Sequence, residues 1–148
     1  MIPDLDGDGN LPPGIHPVTW TELEAHCGSN PHRRRLLSGL HRAAEMLKIV
    51  GCRTLYVNGS FVTSKNVPSD FDGCWDRRGM DLLGLQSADP VLLSFANRRA
   101  AQKAKYFGEL LPADSVEGGS GLTFLNFFQR DKDTGRPKGI LALDLGSL

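Results

Sequence analysis

Asn58-Gly59-Ser60-Phe61-Val62-Thr63-Ser64-Lys65-Asn66-Val67-Pro68-Ser69-Asp70-Phe71-Asp72 is the stretch on which the reading of this chain turns. A β-forming run, Thr54-Leu55-Tyr56-Val57, leads into it and breaks at the Gly-Ser turn. A polar loop follows, and a second strand, Asp70 to Trp75, carries Asp70 and Asp72 in alternation with Phe71. Alternation puts both carboxylates on one strand face, about 6 to 7 Å apart along it. Carboxylates placed together in this way call for a cation. The Gly-Ser turn offers the complementary half, since its backbone N–H groups and hydroxyl suit a phosphate. Cys74 falls on the same face as the two aspartates.

Gly59-Ser60, the spacer at residues 61–69 and Asp70-Phe71-Asp72 resemble the signature of the nucleotidyltransferase superfamily. That superfamily includes DNA polymerase β and the minimal nucleotidyltransferases of bacterial toxin–antitoxin pairs. Ser69-Asp70-Phe71-Asp72 is similar to the Ser-Asp-Ile-Asp form of its small members. Leu11-Pro12-Pro13-Gly14-Ile15-His16, Gly59-Ser60-Phe61-Val62-Thr63 and the closing Lys138-Gly139-Ile140 with Asp144-Leu145 also resemble a small uncharacterised bacterial family that carries this motif. The fold implied is an α/β (α+β) domain with a nucleotidyltransferase-like mixed sheet flanked by helices.

The resemblance implies transfer of a nucleoside monophosphate from a nucleoside triphosphate, with Mg²⁺ or Mn²⁺, to a protein, RNA or small-molecule acceptor. Asp70 and Asp72 would hold metal, joined by a third carboxylate from a later strand. Asp144 is the candidate for that third position, and Asp131 is the fallback. Gly59 would let the backbone approach the phosphates, Ser60 would bond the β- or γ-phosphate, and Lys65 and Lys103 would meet the triphosphate. Gly73 stands where the superfamily usually has an apolar residue. The alternative expectation is the same fold with weak or no catalysis, acting as an antitoxin-like partner of another protein.

The totals agree with one domain. The chain has 148 residues, 40% of them hydrophobic and 23% charged, enough for a core but not for a second catalytic-size unit. Seventeen basic residues balance seventeen acidic ones, so overall charge favours neither a nucleic-acid coat nor a membrane surface. Neither a membrane-length apolar run nor a secretory pattern is present, and a cytoplasmic location is expected. The three cysteines, Cys27, Cys52 and Cys74, have neither disulfide nor metal-site spacing and read as buried, reduced thiols.

Residues 1–18 read as an acidic, proline-rich arm and 19–148 as the domain. Asp4, Asp6 and Asp8 imitate the first half of a calcium loop, but Pro12 and Pro13 follow and Ile15 stands where the closing glutamate belongs. Thr19-Trp20-Thr21-Glu22 is a capping box opening a helix through His26. Asn30-Pro31 starts a longer helix that buries Leu36, Leu37, Leu40, Ala44, Leu47 and Val50 and stops at Gly51. Arg33-Arg34-Arg35 occupies its first turn, where the helix dipole disfavours positive charge. That cluster is either solvated or compensated by phosphate or RNA. Gly79 to Asp89 reads as loop, and Asp89-Pro90 as the start of a helix to Tyr106 or Phe107. Thr123 to Gln129 reads as a strand, joined by a hairpin loop at Arg130 to Gly139 to a return strand, Ile140 to Leu145.

Overall fold

Thr54–Asn58 and Phe71–Trp75 do become adjacent antiparallel strands, and the site loop is the connection between them. The computed structural model describes residues 1–148. Its strands are β1 (Gly14–Val18), β2 (Thr54–Asn58), β3 (Phe71–Trp75), β4 (Gly108–Pro112) and β5 (Gly139–Asp144). They form one five-stranded mixed sheet in the order β1-β5-β2-β3-β4. β5 runs parallel to β1 and antiparallel to β2, and β4 runs parallel to β3. Helices α1 (Trp20–Cys27), α2 (Pro31–Ile49), α3 (Leu82–Ala88), α4 (Ala96–Tyr106) and the one-turn α5 (Phe124–Phe127) complete an α+β domain. No helix is long and apolar enough to cross a membrane.

One sheet face, with Leu55, Val57, Phe71, Trp75, Leu141 and Leu143, is buried with Leu23 of α1 and Leu36, Leu40 and Leu47 of α2. The other face carries Cys74 and Leu111, packed with Phe124, Leu125, Phe127 and Phe128 in and beside α5. Both helix starts are capped as their sequences require. Thr19 accepts from Glu22 N–H and Glu22 returns the bond to Thr19 N–H, while Asn30 accepts from Arg33 N–H with Pro31 in the first helical turn. All three cysteines are free and buried.

The structure differs from the sequence expectations in four places. The hairpin between residues 123–129 and 140–145 does not form, because β5 pairs with β1 and β2 instead. Residues 124–127 are helical: Thr123 caps the turn at Asn126 N–H, and helical spacing stacks the Phe124 and Phe128 rings 5.8 Å apart on the sheet. Residues 14–18, placed in the arm, form the edge strand β1, where Pro17 is tolerated. The loop expected at Gly79 to Asp89 contains α3, capped by Asp81, and the helix expected from Pro90 is a 3₁₀ turn (Pro90–Leu93) followed by α4.

Candidate active site

The Gly-Ser turn is shaped from both sides. Gly59 has φ +78°, and a methyl group there would overlap the Asp72 carboxylate, so only glycine fits between β2 and β3. With its amide oriented to satisfy both neighbours, Asn58 donates to the Asp72 carbonyl at 3.1 Å and accepts from Gly59 N–H at 3.2 Å. Residues 60–62 then form a short 3₁₀ turn.

Arg33 holds the rest of the loop. Its side chain is buried, with the residue 3% exposed, and its guanidinium donates to the carbonyls of Phe61 at 2.6 Å, Thr63 at 2.9 Å, Lys65 at 3.2 Å, Cys27 at 3.3 Å and Ser60 at 3.5 Å. Loop carbonyls thus compensate a charge that the first turn of α2 disfavours. His26 meets the Val62 carbonyl at 3.1 Å, Asn30 donates to that of Asn66 at 2.8 Å, and His32 meets that of Pro68. Helices α1 and α2 therefore fix residues 60–68. Of the three arginines read as one cluster, only Arg34 and Arg35 remain exposed.

A cavity of about 710 Å³ opens over this loop, within the roughly 300–1,000 Å³ span of small-molecule sites. Gly59, Ser60, Lys65, Asp70 and Asp72 all line it, which brings together five of the residues singled out in the sequence. Lys103 does not line it but reaches Glu109 at 3.6 Å. Asp144 is elsewhere: it lies opposite Thr54, whereas Asp72 lies opposite Asn58, about 13 Å farther along β2 at the usual strand rise. Its exposed carboxylate accepts from Gly146 N–H at 2.9 Å and caps the final 3₁₀ turn. Asp131 reaches the cavity wall, but its carboxylate accepts from Asp133 and Thr134 N–H within its own loop.

The third carboxylate beside the pair is Glu109 on β4, the register partner of Asp72. It bonds Arg99 at 2.9 to 3.0 Å as well as Lys103. Arg99 comes from a left-handed turn, φ +51° to +60° over Asn97–Arg99, that opens α4. Glu109 escaped the sequence reading because Gly108-Glu109-Leu110-Leu111-Pro112 has no β-branched residue to mark a strand. Asn10, Arg130, Lys132 and Lys138 also line the cavity without having been singled out.

Electrostatics set this cluster apart. Burial, then the neighbouring Asp70 and Glu109 carboxylates, push Asp72 up to about 7, with a proton shared with Glu109 adding to the shift. Burial and Glu109 likewise raise Asp70, opposed by Lys103 and Lys65. No three His, Cys, Asp or Glu side chains converge closely enough to hold a metal ion by themselves. The donor set of Asp70 and Asp72 suits a hard divalent cation that takes its remaining ligands from substrate phosphates and water. Arg130, Lys132 and Lys138 also line the cavity, together with Asp131 and Asp133, so its lining carries both signs of charge.

No curated protein and no solved structure matches the chain. Its family is set by a match that takes in every strand and both sides of the cavity: residues 3–144 fit the model described as a family of unknown function (DUF6932), and the chain belongs to that family.

Proposed function

We propose that the chain is a metal-dependent nucleotidyltransferase that moves a nucleoside monophosphate from a nucleoside triphosphate to an acceptor hydroxyl. The observation that carries this reading is the arrangement of Asp70 and Asp72, with Glu109 in register, on the wall of a cavity that also holds the Gly59-Ser60 turn, Lys65, Arg130, Lys132 and Lys138. In the reaction the acceptor oxygen bonds the α-phosphorus, the bond to the bridging oxygen breaks, and pyrophosphate leaves. Asp70 and Asp72 would hold Mg²⁺ or Mn²⁺, which when bound neutralises charge on the attacking and leaving oxygens. Ser60 and the turn's N–H groups face the phosphates, Lys65, Arg130, Lys132 and Lys138 offset their charge, and the Asp72–Glu109 pair takes the acceptor proton. Free thiols and a nucleotide substrate support a cytoplasmic location.

Incubation with labelled nucleoside triphosphates, magnesium or manganese and candidate acceptors tests the proposal, with Asp70→Asn/Asp72→Asn as control. Equal labelling by both proteins overturns it.

A second reading has its own support: Glu109 is already held by Arg99 and Lys103. On that reading the cavity binds nucleotide without turnover and the protein is an antitoxin-like partner of another chain. Nucleotide binding by calorimetry without product, together with capture of the neighbouring gene's product, favours it. Turnover without capture excludes it.

A further inference from the structure

Phe107 ends α4 with φ +69° and ψ 23°, a left-handed conformation that normally falls to glycine at a helix end. A bulky ring held there is strained, and such strain concentrates at functional positions. Its carbonyl accepts from Phe71 N–H at 3.4 Å, which ties the backbone at the end of α4 to the residue that follows Asp70. The Arg35 guanidinium lies over the ring at 4.5 Å, and that of Arg42 lies 5.6 Å from its centroid. Arg42 also donates to the Lys105 carbonyl at 2.8 Å, tying α2 to the end of α4.

Both arginines are exposed and neither is ion-paired. Helix α4 has no acidic residue, and the only one on α2, Glu45, pairs with His41 at 3.6 Å. The patch is therefore a local excess of positive charge on a chain whose total is balanced. Guanidinium groups bond phosphate oxygens in pairs and stack on bases, and an aromatic ring adds a stacking surface. A protein partner would look for an apolar centre, yet Leu36, Leu37 and Leu40 between these arginines all turn into the core.

We propose that Arg35, Arg42 and Phe107 form a docking platform for a single-stranded polynucleotide. The platform stands independently of the nucleotidyl-transfer reading.

Fluorescence anisotropy with fluorescein-labelled oligouridylate and oligothymidylate across a salt series tests the platform. Binding is expected to weaken as salt rises. Phe107→Gly and the pair Arg35→Ala/Arg42→Ala should each weaken it about tenfold or more. Phe107→Gly should keep a cooperative melting transition, because glycine suits the left-handed position. Tighter binding of the RNA probe assigns a contact to the ribose hydroxyl, and equal binding assigns base and phosphate alone; either supports the platform. Asp70→Asn/Asp72→Asn should bind as the unaltered protein does. No binding at low salt, affinity unchanged in both platform variants, or competition by polyglutamate as strong as by RNA overturns the proposal. If the platform variants bind normally while labelled transfer depends on Asp70 and Asp72, the platform falls and the catalytic reading stands. If the platform variants lose the probe while transfer ignores the two aspartates, the reverse holds.

Discussion

The Arg33 guanidinium donates to the Phe61 carbonyl at 2.6 Å, across the seam between α2 and the loop that carries Gly59 and Ser60. It also serves the carbonyls of Cys27, Ser60, Thr63 and Lys65, so removing it strands several acceptors at once. Arg33→Ala should cost about 1 to 3 kcal/mol or more, the penalty for leaving buried acceptors unpaired. Arg33→Lys should recover part of this, because one ammonium cannot match the planar fork. Urea unfolding of the two variants measures the difference.

Gly59→Ala should be disproportionately harmful for so small a change. The added methyl meets the Asp72 carboxylate and demands a left-handed backbone. A loss of about 1 to 3 kcal/mol is expected, along with loss of the melting-temperature increase that the proposed binding of nucleotide and magnesium should produce. Thermal denaturation with and without those ligands reads both.

Asp72→Asn should stabilise the protein in the absence of metal, while abolishing transfer. Asp72 sits near 7 when folded against an ordinary 3.8, so the folded state keeps a proton that the unfolded state releases, and the wild type loses stability as pH rises between those values. The advantage of the asparagine therefore opens above pH 3.8 and is complete once pH passes 7, where it should be on the order of 4 kcal/mol. Urea titrations with a chelator at low and high pH test this. An asparagine variant less stable than wild type at high pH contradicts it.

Glu109→Gln and Asp144→Ala should part company. The first removes a carboxylate that touches the site and frees Arg99 and Lys103, and labelled transfer should fall at least tenfold. The second removes only a cap on the last turn, costing about 0.5 to 2 kcal/mol with transfer intact.

The cysteines should resist thiol reagents until the protein unfolds. Burial pushes Cys27 up to about 12 and Cys52 up to about 11, and raises Cys74 as well. Each stays a protonated thiol at mildly alkaline pH. A colorimetric thiol assay should report almost nothing in buffer and all three cysteines in denaturant.

What was legible in the sequence was local. Gly59, Ser60, Lys65, Asp70 and Asp72 lie within one loop and its flanking strands, so their closeness follows from chain proximity even though α1 and α2 fix the loop's shape. The caps at Thr19 and Asn30 are equally short-range. Glu109 and Asp144 required knowing strand neighbours, and sequence periodicity gives a strand's faces but not its partners. Asp144 shares a strand face with Ala142 and Ile140 by alternation, but the sheet register puts it at the wrong end of β2. Phe124 to Phe128 misled because aromatic residues favour strands on average, whereas here their three- and four-residue spacing packs one helical face on Cys74 and Leu111.

The position of β5 between β1 and β2 also governs how the chain can come together. Residues 14–18 have no sheet partner until residues 139–144 arrive, and β2 keeps an open edge until the same moment. A nascent chain that ends short of Gly139 would hold the β2–β3–β4 half with its site loop assembled, but with an unpaired edge that invites association with other chains. Sheet closure is thus a late, long-range event, which makes folding slow relative to chains of similar size built from local contacts.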